Sequence, residues 1–95
     1  MNNSIYIKLK ENKEYLKEKY QITNIGIFGS YARGEEVPDS DIDILIEFKE
    51  APDFFKFLTV EEYLENLLQK KIDMVRPQGL KKQIKDKILS EVIYI

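Results

Sequence analysis

Two aspartates two positions apart, Asp41 and Asp43, open a run that alternates through Phe48. In an extended strand Ile42, Ile44, Ile46 and Phe48 share one face, while Asp41, Asp43 and Glu47 share the other. Asp is depleted in strands, so two at the start of one need a reason. Residues two apart on a strand lie roughly 6.5–7 Å from each other with parallel side chains. Carboxylates so placed can converge on a pair of divalent cations about 3.5–4 Å apart. Without a cation, like charges held that close disfavour ionisation. Upstream, Gly29-Ser30 ends the apolar Ile25-Gly26-Ile27-Phe28 where a helix would begin. Glycine lets backbone come close to a ligand, and the N–H groups of a helix start attract phosphate. A phosphate cradle followed by a metal-binding carboxylate pair is equipment for nucleotidyl transfer from a nucleoside triphosphate. The plainer alternative is a tight turn followed by a half-exposed strand with an acidic outer face. The turn, an arginine, the spacing and the alternating strand occur together and in order, which favours the chemical reading.

The elements that must position these residues can be read in chain order. Asn3 or Ser4 could cap a first helix to about Tyr20, with Ile5, Leu9, Leu16 and Tyr20 on one stripe. Ile22 to Phe28 is a buried first strand. Tyr31 to Arg33 starts a short helix that Gly34 ends, and Glu35 to Ser40, with Pro38, is loop. Asp41 to Phe48 is the second strand. The apolar Phe54, Phe55, Phe57 and Leu58 are expected to pack under the next helix; the alternative is an exposed aromatic patch for a partner. Thr59 with Glu62 reads as a capping box, and Val60, Tyr63, Leu64, Leu67 and Leu68 as the buried stripe of a helix ending near Lys70. Ile72 to Val75 is a third strand, stopped by Arg76-Pro77. A last helix runs from Leu80 to about Ser90 with Leu80, Ile84 and Ile88 on one stripe, and Val92 to Ile95 is a short strand or docked end. The expectation is a single domain over residues 1–95 of the α/β (α+β) class. Its small mixed sheet of three to four strands is flanked by helices in the order α-β-α-β-α-β-α. Asp73 lies mid-strand with Ile72 and Met74 facing the other way. If the third strand neighbours the second, three carboxylates meet at one edge of the sheet.

Composition narrows the chemistry. The 95 residues, 43% hydrophobic and 34% charged, are enough for one modest core. No apolar run approaches a membrane span and no signal-peptide pattern opens the chain, so a cytoplasmic location is expected. There is no cysteine and no histidine, so acid–base and metal chemistry must run on carboxylates, which suit magnesium or manganese. The net charge of −2 hides an asymmetry. Glu35 to Glu65 carries eleven acidic residues against Lys49 and Lys56, whereas Lys70 to Lys87 carries seven basic residues against Asp73 and Asp86. This reads either as two solvated faces or as an acidic metal rim beside a basic patch for triphosphate or an acidic partner. A polynucleotide binder would more often be basic overall.

Gly29-Ser30, then Ala32-Arg33-Gly34, then Ser40-Asp41-x-Asp43 resembles the signature of the polymerase-beta-like nucleotidyltransferase superfamily, and Lys71-Ile72-Asp73-Met74-Val75 resembles its third aspartate. The short chain looks like the minimal nucleotidyltransferase (MNT) branch, whose members include antitoxins encoded beside HEPN-domain toxins. The resemblance implies the nucleotidyltransferase fold and attack of an acceptor hydroxyl on the α-phosphate of ATP. It implies two magnesium ions, or manganese, held by Asp41, Asp43 and Asp73. Gly29, Ser30, Arg33 and Ser40 would contact phosphates. The chain holds little beyond this constellation, so the acceptor is expected to bring its own surface. The branch implies transfer of AMP to a tyrosine of a HEPN RNase toxin, with no direct DNA or RNA substrate. A small-molecule nucleotidyltransferase of the antibiotic-modifying type and a non-catalytic binding antitoxin are the alternatives.

Overall fold

The computed structural model describes residues 3–95, with side chains from Ser4 onward. Its elements are α1 (Asn3–Tyr20), β1 (Ile22–Phe28), α2 (Gly29–Arg33), β2 (Ile42–Phe48), α3 (Phe54–Leu68), β3 (Ile72–Val75), α4 (Lys82–Glu91) and β4 (Ile93–Tyr94). The four strands form one sheet in the order β3-β2-β1-β4. β2 runs antiparallel to β1 and parallel to β3, and β4 adds antiparallel to the other side of β1. The parallel pair requires a crossover, which α3 supplies. The expected mixed sheet flanked by helices is therefore present, with the tail forming its fourth strand.

The sheet has two unequal covers. Ile25 and Ile27 of β1 and Ile42, Ile44 and Ile46 of β2 meet Ile5, Leu9 and Leu16 of α1 and Val60, Leu64 and Leu68 of α3 in the main core. The other face carries a smaller cluster of Phe28, Leu45 and Ile88, with Val75, Leu80 and Val92 packed against it. Leu45 is thus the apolar member of the strand face that also bears Asp43. Ile88 is the buried residue of α4, and one such side chain contributes about 2 kcal/mol. Helix α4 needs other anchors.

Several boundaries depart from expectation. Helix α3 begins at Phe54, because Asp53 caps it by accepting the Lys56 N–H at 2.7 Å. Thr59 lies inside the helix and donates its hydroxyl to the Phe55 carbonyl at 2.8 Å, so the expected capping box is absent. Starting the helix earlier turns its first residues outward. Phe54 and Phe55 are 69% and 78% exposed and Leu58 is exposed too. Phe57 packs against the main core, as expected of all four. Helix α4 starts at Lys82; Leu80 reaches the smaller cluster from the preceding loop, and Ile84 is half exposed. The apolar surface under α4 is narrow, and Ile88, Leu80 and Val92 fill it. Ser4, one expected cap, sits within α1; the side chain of Asn3, the other, lies outside the described residues. Among the described residues no helix is long and apolar enough to cross a membrane.

Candidate active site

The parallel register sets Asp43 of β2 beside Asp73 of β3, and the antiparallel register sets it beside Phe28, the last residue of β1. Gly29 follows with φ +71°, in the left-handed region. A Cβ at Gly29 would overlap the Asp43 carboxylate. Glycine is therefore required twice here, by backbone angle and by the carboxylate lying against it. Asp41 is exposed and stands one residue before β2, whose pairing starts where the Ile42 N–H donates to the Lys71 carbonyl at 2.9 Å. The structure thus brings Gly29, Asp41, Asp43 and Asp73 to one end of the sheet.

Burial first, and then the Asp73 charge, a hydrogen bond with Asp73 and the Asp41 charge, push the Asp43 carboxyl up to about 6; Arg33 partly offsets them. Helix α3 adds to the negative field. Glu61 is raised above its ordinary value by burial first and then by the charges of Glu65 and Asp73, and Glu65 accepts the Ile72 N–H at 3.3 Å. Among the described residues no group of three or more acidic side chains is gathered as a preformed ion site. The Asp43–Asp73 pair is what the fold assembles. Its oxygen-only donors and mutual repulsion suit a hard divalent cation.

The phosphate-binding candidates separate. Ser30 follows Gly29, half-buried. Its carbonyl accepts the Glu35 N–H at 2.9 Å, while Gly34 (φ +74°) closes the short helix. Ser40 stands on the loop before β2, where its hydroxyl accepts the Val37 N–H at 2.9 Å. Arg33 is bound by two carboxylates, Glu35 at 3.4 Å and Glu91 at 3.1 Å. Glu91 also accepts the Gly29 N–H at 2.9 Å. The Gly29 amide is thus satisfied from within the chain, and glycine serves here to admit the Asp43 carboxylate. Sequence reasoning passed over Glu91. The available signal was an acid closing a helix, where the dipole disfavours negative charge.

The Gly29 turn and the Asp43–Asp73 strand pair thus lie together at one end of a mixed α/β sheet flanked by helices. The nucleotidyltransferase domain profile matches residues 9–95, and the chain belongs to that family. It is 46% identical over 87 residues to Protein adenylyltransferase MntA of Thermococcus cleftensis, covering 92% of this chain and 88% of that protein. A solved structure of a provisionally assigned minimal nucleotidyltransferase superposes with TM-score 0.81 at 30% identity, covering 98% of this chain and 95% of the other. A chain from the Shewanella oneidensis complex of a tri-AMPylated HEPN toxin with its MNT antitoxin superposes with TM-score 0.69 at 16% identity, covering 95% and 70%. That last likeness concerns the fold.

Proposed function

We propose that this nucleotidyltransferase moves AMP from ATP to a tyrosine hydroxyl of a partner HEPN toxin in the cytoplasm, and so acts as its antitoxin. The observation that carries the reading is the in-register Asp43–Asp73 pair, with the Asp43 carboxylate lying against Gly29. It stands in a chain 46% identical to a protein adenylyltransferase. The partner comes from the fold likeness to an MNT antitoxin chain bound to an AMPylated toxin. Exposed Phe54 and Phe55, and the exposed lysines from Lys81 to Lys87, are surfaces on which such a partner could dock.

Asp41, Asp43 and Asp73 would hold two magnesium ions, which when bound neutralise the triphosphate and ease ionisation of the attacking hydroxyl. Asp73, the exposed member of the strand pair, would serve as a ligand or as the base that takes the hydroxyl proton. The hydroxyl oxygen bonds to the α-phosphorus, and the bond to the bridging oxygen breaks, releasing pyrophosphate. Ser30 would contact the terminal phosphates, and the part of the Arg33 charge not taken up by Glu35 and Glu91 would offset charge on the departing pyrophosphate. Ser40 holds the loop that delivers Asp41. Positioning and charge carry the step, with no covalent enzyme intermediate.

The test is transfer of labelled AMP from ATP to the product of the neighbouring gene. Asp41→Asn and Asp43→Asn should each abolish it in folded protein, and Asp73→Asn should spare ATP binding more than turnover. Near-normal transfer by any of the three would end the assignment.

A further inference from the structure

We propose that Glu91 is a positioning residue of the nucleotide site. Reaching back from the last turn of α4, its carboxylate fixes both the β1–α2 turn and the Arg33 side chain. One oxygen accepts the Gly29 N–H at 2.9 Å and an Arg33 N–H at 3.2 Å; the other accepts from the same Arg33 nitrogen at 3.1 Å. The Glu91 side chain is 18% exposed against 42% for Arg33, so the acid is the sheltered partner. An acid at a helix C-terminus opposes the helix dipole, and a residue kept against local preference needs a compensating contact. Here that contact is a charge-assisted pair of donors.

A carboxylate on such donors could instead be a stand-in that ATP displaces. The backbone argues against this. The Val92 N–H donates to the Ile88 carbonyl at 2.9 Å, and Ile93 and Tyr94 then pair with Ile27 and Gly26 of β1. Glu91 is therefore tethered beside the turn whether or not its side chain keeps its bonds. A displaced carboxylate would face the incoming triphosphate, negative against negative. Kept in place, it holds Gly29 against Asp43 and turns Arg33 to a fixed orientation, leaving the Arg33 charge shared between Glu91 and Glu35. The segment from Ile88 to Tyr94 thereby becomes part of the site, although it follows all three aspartates in the chain.

The inference rests on the proposed function for what the turn binds, and two measurements separate them. Glu91→Gln keeps an acceptor for the Gly29 N–H and removes the charge facing Arg33; Glu91→Ala removes both. Transfer to the partner should fall about tenfold in kcat/KM for ATP in the Gln variant and about a hundredfold in the Ala variant, mostly through KM. Adding Arg33→Ala to Glu91→Ala should cost little more, since the two act as one unit. Unchanged kinetics with only a lowered Tm would reduce Glu91 to a structural contact and overturn the proposal. Tighter ATP binding by Glu91→Gln would mark the carboxylate as a competitor and also overturn it. The second measurement is the Gly29 amide resonance in nucleotide-free protein, which should move in the Ala variant and hold in the Gln variant. An unmoved resonance in Glu91→Ala overturns the contact itself. A wild-type chain that transfers nothing, with the amide behaving as stated, overturns the function and leaves the contact standing.

Discussion

Asp43→Asn should make the metal-free protein more stable, and the gain should depend on pH. The Asp43 carboxyl is raised from 3.8 to about 6, with burial the first cause and Asp73 the next. A raised carboxyl means that its ionised form is the costly one in the fold. The cost is absent below the unfolded value of 3.8, grows as pH rises, and is complete above about 6. At about 1.4 kcal/mol per unit the shift corresponds to about 3 kcal/mol. Asp43 is only half-buried, and solvent screening brings the expected effect to about 1 kcal/mol. Asn cannot ionise, and its amide can donate to the Asp73 carboxylate much as a protonated Asp43 would. Urea unfolding in EDTA should therefore show the Asn variant gaining about 1 kcal/mol on wild type between pH 4 and pH 8. Magnesium should narrow the gap by stabilising wild type alone. A difference that stays flat with pH, or a loss for the variant at pH 8, would refute the reasoning.

Two further outcomes are expected. Gly29→Val should destroy nucleotide binding, because φ +71° and the adjacent Asp43 carboxylate both exclude a β-branched side chain; calorimetry on folded variant protein with unchanged ATP affinity would contradict this. Reversing Lys81, Lys82 and Lys85, all exposed, to Glu should slow transfer to the partner at low salt, by up to about tenfold. It should leave ATP binding intact, and equal rates across a salt series would remove the basic stretch from the docking surface.

Much of the fold was legible because its signals are local. The alternation of Ile42 to Phe48 and the apolar run of Ile25 to Phe28 placed the two central strands, and the four-residue spacings of α1 and α3 placed their buried faces. The Asp43–Asp73 juxtaposition needed one non-local assumption, that β3 neighbours β2, and the parallel register supplies it. What escaped depends on competition or on distance. Thr59 with Glu62 carried the capping-box pattern, whereas Asp53 caps α3 six residues earlier, and the exposure of Phe54 and Phe55 follows from that earlier start. Ile84 followed the helical period, but the surface beneath α4 was too narrow to bury it. Glu91 meets Gly29 across 62 positions of sequence, a contact that no local pattern encodes.

The central claim is transfer to a protein hydroxyl, and intact-mass spectrometry of the neighbouring gene's product tests it most directly. After incubation with the purified chain, ATP and magnesium, the partner should gain one or more AMP increments that map to tyrosine and are absent with Asp43→Asn. A partner that is inhibited in complex with the chain yet carries no AMP would contradict the claim and leave a binding antitoxin in its place.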